Sequence, residues 1–398
     1  MKGLNKLLLV SAVLSAALSQ MSAYKVVDED DKMIDVYGSA RGYVGFGATM
    51  GGSSTTTAGT TTNTSNPSFG SAIYGLQSNS RLGVKAKIGN VNLTTEIGLD
   101  EPNNFRQMWG SYTFESAGTL LLGKLDTPSV AKSSFASDVA NTDQGHAGFG
   151  GLRTSNRKFQ LSYSIAGLTV ALVDDSGVVD VKASQNEAIP RIATNYFYQN
   201  DDKTLEVQVG GSYKYYNAGV RGGQGDANSR FATNSGSAFH IFTAVKSQMM
   251  ENSLYVSAMA HYGMNADLYG EQRTSMNDGS YKHTDIMKVS NANVSRAGGY
   301  VEGGYKINDT LSGVLAAGYQ YTWANSNDPK LPAGTTTTMG TAQTFTVMAQ
   351  LPMKLDKNFR LTPQIGYYGT ILGGGDQNTK TVSTNHGVLA FVQLRYDF

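Results

Sequence analysis

Residues 311–323 read LSGVLAAGYQYTW, and this stretch alternates almost strictly between two kinds of side chain. Leu311, Leu315 and Tyr319 share the odd-numbered parity with further apolar or aromatic residues, whereas Ser312 and Gln320 lie on the other parity. Because successive side chains of a β-strand point to opposite faces, the period of two predicts a strand with one apolar face and one polar face.

The same alternation recurs along most of the chain. The segment that starts at Leu205 and the segment that starts at Leu361 repeat it over a comparable length. Sixteen such segments are predicted, at about 33–48, 71–88, 91–99, 105–114, 118–124, 154–165, 168–174, 189–199, 204–217, 235–247, 252–262, 294–307, 310–323, 341–355, 359–373 and 385–398. The chain is therefore predicted to be all-β.

Composition excludes several classes of protein. Of 398 residues, 16% are charged, against about 25% in an average soluble domain, and 40% are hydrophobic. The formal net charge of +1 excludes a strongly basic nucleic-acid binder, and neither a Rossmann nor a P-loop glycine motif follows a strand. The absence of Cys excludes disulfides, thiolate metal sites and cysteine nucleophiles.

The first 23 residues are predicted to be an export signal. Lys2 and Lys6 precede an apolar run, residues 7–18, and small residues follow as far as Ala23. This run is too short to span a membrane as a helix, and its flanks are those of a secretory signal peptide, which we expect to be cleaved after Ala23. No later stretch approaches the ~20 apolar residues that a membrane-spanning helix needs.

The connections between the predicted strands alternate in length. Residues 89–90, 166–167, 308–309 and 356–358 are tight turns, whereas 49–70, 125–153, 218–234, 263–293 and 324–340 are long and polar. In an exported chain this alternation is typical of an outer-membrane barrel. The prediction is a sixteen-stranded antiparallel transmembrane β-barrel over residues 24–398, with short periplasmic turns and long extracellular loops.

Four local sequences carry a resemblance to a known family. NSRLGVK (79–85), GKLDTP (123–128) and AGFGG (147–151) resemble, in order and spacing, motifs of the second strand, the fifth strand and the third loop of Gram-negative trimeric general porins. The final strand, 388–398, ends on an aromatic residue and resembles the targeting signature that the barrel assembly machinery reads, with Tyr396 and Phe398 as its aromatic positions.

The resemblance implies a constriction inside the barrel. In this family the third loop, here 125–153, folds into the lumen, and its acids face a basic ladder on the opposite wall. Opposed charges across a narrow aqueous gap screen solutes by size and charge. The candidate constriction residues are Arg41, Arg81, Lys85, Asp126, Lys132, Asp138 and Asp143. A lipid-facing Arg at the bilayer midplane would cost about 2–4 kcal/mol, so the polar parity of Arg41 and Arg81 favours the lumen.

The predicted function is passive diffusion of ions and small hydrophilic solutes across the outer membrane of a Gram-negative bacterium. A channel selective for a sugar or organic acid is the nearer alternative, and a surface adhesin or phage receptor a further one. The five histidines are scattered, so we expect no enzymatic activity, metal or cofactor. The resemblance implies a homotrimer in contact with outer-membrane lipid and lipopolysaccharide, although connection 100–104 is shorter than the loop that often latches over a neighbouring subunit in this family.

Overall fold

The computed structural model describes most of the chain after residue 23. The described residues are 24–29, 31–77, 79–99, 105–137, 150, 153–175, 189–217, 235–272, 275–278, 281–284, 293–325, 339–375 and 379–398. The predicted signal peptide, Asp138, Asp143 and Gly148 lie outside them.

Twenty-one strands form in these residues. Their bounds are β1 Tyr24–Glu29, β2 Lys32–Thr57, β3 Thr60–Leu76, β4 Arg81–Ile88, β5 Val91–Gly98, β6 Phe105–Phe114, β7 Gly118–Asp126, β8 Arg157–Ile165, β9 Leu168–Val173, β10 Arg191–Gln199, β11 Leu205–Tyr216, β12 Gly236–Met249, β13 Leu254–Met264, β14 Ser275–Asp278, β15 Tyr281–Thr284, β16 Asn293–Lys306, β17 Ser312–Asn325, β18 Met339–Gln350, β19 Met353–Lys354, β20 Phe359–Gly375 and β21 Thr379–Asp397. Two short 3-10 helices, Ser133–Phe135 and Ala266–Tyr269, lie in connections.

The strands close into one barrel. β2 pairs on one side with β3 and β4 and on the other side with β21, from Ser39↔Asp397 to Thr57↔Thr379. Since β3 and β4 form one interrupted barrel strand, β18 and β19 form another, and β14–β15 is a separate hairpin, the described residues contain sixteen barrel strands. The predicted sixteen-stranded antiparallel barrel is confirmed.

β1 continues the line of β21 along β2. β1 pairs with β2 from Tyr24↔Val36, and β21 reaches its end at Phe398, whose carbonyl accepts the Gly38 N–H at 2.8 Å. The start of β1 therefore follows directly on the chain's carboxyl end, and the two together complete the strand beside β2.

The predicted long loop at 49–70 is wrong. These residues instead continue β2 and β3 in a paired hairpin whose turn, Ala58–Gly59, has positive φ at both positions, 48° and 84°. A two-residue turn of that geometry matches the twist of antiparallel strands. The composition misled the prediction because Ser and Thr suit loops, yet Thr also favours strands, and a hairpin projecting into water needs no apolar face.

The alternating faces of the strands divide as predicted. Leu315 and Val347 are exposed on the outside of the barrel, at 68% and 58%, whereas their neighbours Ala316 and Met348 are buried inside. The outside is thus a continuous apolar surface with aromatic residues, as a barrel surrounded by lipid requires. No helix among the described residues is long and apolar enough to cross a membrane.

Part of the interior is unexpectedly apolar. Phe135, from the connection after β7, belongs to one buried apolar cluster with inward-facing residues of β12, β13, β16, β17, β18, β20 and β21. The buried inward-facing side chains of this cluster include Phe242, Met259, Tyr300, Met348, Tyr368, Leu389 and Phe391. A polar cavity lies beside the inward faces of β4 to β11.

Candidate functional site

The connection between β7 and β8, residues 127–156, is the third outer connection of the barrel and is called the third loop below. Its first part enters the barrel and bonds to inward-facing side chains. The Lys132 N–H donates to Gln208 Oε1 at 2.9 Å, and Gln208 Nε2 donates to the Val130 carbonyl at 3.1 Å. Ser257 Oγ donates to the carbonyl of Phe135. The predicted inward fold of this loop is confirmed for its described residues.

Glu302 holds the next part of the loop. Its carboxylate accepts the backbone N–H of Ser137 at 3.0 Å and the Tyr255 hydroxyl at 2.6 Å, and it also accepts the Tyr300 hydroxyl. Glu302 is 1% exposed. Hydrogen bonds from several donors offset the cost of burying this carboxylate, so the loop backbone is part of what keeps it satisfied.

A second buried carboxylate, Glu271, holds the start of the loop. Glu271 lies in residues 265–292, the connection between β13 and β16, called the sixth loop. It accepts hydrogen bonds from Thr127 Oγ1 at 2.7 Å, Ser129 Oγ at 3.0 Å and Arg191 NH1 at 2.7 Å. Arg191 also pairs with both carboxylate oxygens of Asp175, at 2.8 and 3.2 Å.

The charges of Arg191 and Glu271 are fully removed from water, but each is compensated by a partner of opposite charge. Arg191 and Glu271 are both 0% exposed. Although burial would raise the pKa of Glu271, the positive charge of Arg191 and the hydrogen bonds from Thr127 and Arg191 hold that pKa below its ordinary value. Glu271 therefore remains an anion and an acceptor for the loop hydroxyls.

The third loop also contacts the far wall of the barrel. Gly150 has φ +98°, and a Cβ at this position would overlap the backbone of Tyr319 and Gly318. Arg153, in the last part of the loop before β8, joins the start of the loop to the sixth loop. The Ala131 N–H donates to the Arg153 carbonyl at 3.2 Å, and the Arg153 N–H donates to the Glu271 carbonyl at 3.3 Å. Gly150 belongs to the motif at 147–151, and its close backbone packing explains why a glycine stands there.

The loop and the wall enclose a cavity of about 730 Å³. Its floor is formed by the loop residues 127–134, and its wall by inward-facing residues of β4 to β11. The charged side chains that line it are Arg81, Lys85, Glu96, Asp126, Lys132 and Arg157. Four of the predicted constriction residues, Arg81, Lys85, Asp126 and Lys132, are thus brought together in one polar space.

The two acids in this cavity are engaged by neighbouring groups. Glu96 accepts from Arg106 Nε at 2.8 Å and from the Tyr37 hydroxyl at 3.0 Å, and Arg81 Nε lies 3.5 Å from its other oxygen. Asp126 accepts from Ser155 Oγ at 2.7 Å, and Arg157 Nε lies 3.8 Å away.

The two lysines lie over aromatic rings. Lys85 Nζ is 4.9 Å from the centre of the Tyr37 ring, and Lys132 Nζ is 3.0 Å from that of Phe197. Burial lowers the pKa of the Lys132 ammonium, and the charge of Glu206 opposes this shift. A cation over a ring face is stabilised without being neutralised.

The remaining predicted residues have other positions. Arg41 faces inward as predicted, but it is 3% exposed, donates from Nε to Ser39 Oγ at 2.9 Å and does not line the cavity. Asp138 and Asp143 lie outside the described residues. At the carboxyl end, the Phe398 ring covers Gly38, and the centres of the Tyr396 and Phe398 rings lie 6.3 Å apart; the role of these two residues in assembly stays a prediction.

Sequence reasoning missed several residues of this site. Glu96 and Tyr37 lie on the predicted inward parity of their strands. They would have been found if the parity rule had been applied to every charged and phenolic residue. Arg157 stands at the first position of β8, where parity is hard to assign. Glu271 meets Thr127 across 144 residues of sequence, and no local pattern indicates such a contact.

Comparison with solved structures finds this barrel in outer-membrane proteins. The outer membrane channel DcaP of Acinetobacter baumannii has a TM-score of 0.57 at 12% identity, over 95% of this chain and 100% of that chain. OmpT of Vibrio cholerae has a TM-score of 0.53 at 15% identity, over 94% and 99%. Salmonella typhi OmpF, in a complex with daunomycin, has a TM-score of 0.50 at 14% identity, over 94% and 100%.

No protein-family model matches the chain, and no curated protein sequence matches it. The likeness to solved structures, at these identities, concerns the fold. The chain folds as a porin-like sixteen-stranded barrel.

Proposed function

We propose that this protein is an outer-membrane channel through which ions and small hydrophilic solutes diffuse passively. The observation that carries the proposal is the polar cavity of about 730 Å³ inside the barrel, between the third loop and the inward faces of β4 to β11. Solutes would cross the membrane through this cavity, past the loop residues 127–134.

The arrangement suits diffusion physically. The apolar outer surface lets the barrel reside in lipid, and the charged and hydroxyl groups of the cavity keep its interior hydrated. A narrowed aqueous passage sorts solutes by size and by the charges on its walls. Glu271 and Glu302 fix the third loop at two places, so the width of the passage is defined by buried contacts.

The proposal includes a location and partners. The signal peptide 1–23 would direct export, and the aromatic end of β21, with Tyr396 and Phe398, would be read by the barrel assembly machinery. The exposed apolar belt would contact lipid and lipopolysaccharide, and part of it would be buried between subunits of a homotrimer. Passive diffusion needs no cofactor and no catalytic group.

Conductance measurement tests the proposal. Purified, folded protein added to a planar lipid bilayer should produce discrete current steps, grouped in threes if the channel is a trimer. Protein unfolded by heat before addition is the control, since it should produce none. Folded protein that inserts into the bilayer without current steps would contradict the proposed channel.

A further inference from the structure

The charged groups that line the cavity differ in how accessible they are to a solute. Both acids are already engaged: Glu96 by Arg106, Arg81 and Tyr37, and Asp126 by Ser155 and Arg157. Glu96 is 2% exposed. A cation that entered the cavity would have to displace arginines to bind Glu96, whereas Asp126 is 35% exposed and is held by the Ser155 hydroxyl, with Arg157 more distant at 3.8 Å.

The bases include two that no carboxylate neutralises. Among the described residues, neither Lys85 nor Lys132 forms an ion pair with an acid, and each ammonium lies over an aromatic ring. Lys85 is exposed in the cavity and lies four residues from Arg81 on the same face of β4, at a spacing of about 13 Å. These two residues form a row of positive charge along the passage.

Within the part of the chain that the structure describes, the acids beside the two lysines do not remove this asymmetry. Asp35 stands opposite Lys85 in the β2–β4 pair, but the Lys85 ammonium leans toward Tyr37 and makes no ion pair with Asp35. Glu206, whose charge acts on Lys132, accepts hydrogen bonds from Ser134 and Gln199. Among the described residues, the lining therefore offers two exposed lysines that form no ion pair, and each of its two carboxylates already accepts a hydrogen bond.

We propose that the passage favours small anionic solutes, carboxylates among them, and that Lys85 and Lys132 provide this preference. The inference rests on the proposed channel function and names the class of solute that the channel conducts best. Trp109 and Tyr37 line the same cavity and supply flat apolar surface beside the cations, which suits the hydrocarbon part of an organic acid.

Reversal potentials measured under a potassium chloride gradient test the preference. The unaltered channel should pass chloride at least about twice as readily as potassium, because accessible wall charge enriches the opposite ion in a narrow pore. The double variant Lys85→Gln and Lys132→Gln should lose most of this preference. Lys357→Gln, which removes the same charge from an exposed turn outside the cavity, is the matched control and should leave the preference unchanged.

The outcomes separate the two proposals. Current steps that favour potassium, or an equal shift in the Lys357→Gln control, would overturn the inference and leave the channel itself standing. No current steps from folded protein would instead overturn the proposed function. A second gradient, of potassium acetate, tests the preference for carboxylates. Acetate should be more permeant than potassium, and a channel that acetate cannot cross would overturn the preference for carboxylates. The single variant Lys85→Gln, at an exposed position, provides the test if the double variant fails to fold.

Discussion

Glu271 of the sixth loop accepts a 2.7 Å hydrogen bond from the hydroxyl of Thr127, at the point where the third loop leaves β7. Two outer connections that are far apart in sequence are therefore joined inside the barrel. Arg191, on the wall strand β10, donates to the same carboxylate oxygen, so the contact is tied to the wall as well. The position of the third loop depends on the sixth loop as much as on its own residues.

Removal of this carboxylate should loosen the third loop. Glu271→Gln would leave Arg191 buried with one partner fewer, and a buried ion pair broken on one side costs about 3–5 kcal/mol. We expect a lower temperature of barrel unfolding and, at the single-channel level, noisier current with additional substates. Both are measured on protein refolded in detergent and then inserted into a bilayer.

Two further variants show whether the effect comes from the loop contact. Thr127→Val removes the hydroxyl at nearly constant volume and should reproduce the current noise with a smaller loss of stability, about 1 kcal/mol. Glu115→Gln, in a turn at the opposite end of the barrel, is the control and should change neither property. Quiet current from a folded Thr127→Val channel would show that the Thr127–Glu271 bond does not steady the loop.

Gly150 should be intolerant of a side chain for a reason that Gly59 does not share. Both have positive φ, +98° and +84°, so Ala carries a backbone cost of about 1–2 kcal/mol at either position. Only at Gly150 would the added Cβ overlap the wall, at Tyr319, whereas the Cβ at Gly59 would meet nothing. Gly150→Ala should therefore change the conductance of the channel, and Gly59→Ala should lower stability slightly and leave conductance as it was. Equal conductance of the two variants would contradict the seating of the loop at Gly150.

The sequence predicted the barrel because its signal is repeated. Alternation such as that of residues 311–323 occurs in each of sixteen segments, and inward parity brought Arg81 and Lys85 to the cavity correctly. The paired extension of β2 and β3 beyond the predicted strands was missed because both faces of this hairpin are polar, so no alternation of apolar and polar residues marks it. The apolar interior around Phe135 and the bond between Glu271 and Thr127 were also missed, since both depend on contacts between distant segments.

Arg41 and Arg81 should respond differently to the same substitution, although the sequence placed both at the constriction. Arg81 lines the cavity, whereas Arg41 is buried beside Ser39 and outside it. Arg81→Gln should shift the reversal potential in a salt gradient toward cation permeation, because it removes an accessible positive charge. Arg41→Gln should lower the unfolding temperature with a smaller shift in reversal potential. A larger shift from Arg41→Gln would place Arg41 in the conduction path.

The apolar outer surface should be required for the barrel to fold into lipid. Leu315 is 68% exposed on the lipid-facing parity of β17, and on that face an Arg costs about 2–4 kcal/mol at the bilayer midplane and less toward the turn from which β17 starts. Leu315→Arg should therefore fold less completely into phospholipid vesicles than the unaltered chain, as measured by the heat-dependent shift in electrophoretic mobility. Asn90→Arg adds the same charge at a turn in water and should fold as the unaltered chain does. In detergent micelles, which let the charge reach water more easily, the deficit of Leu315→Arg should be smaller, and a deficit of equal size there would point to disturbed packing of β17 instead of exposure to lipid.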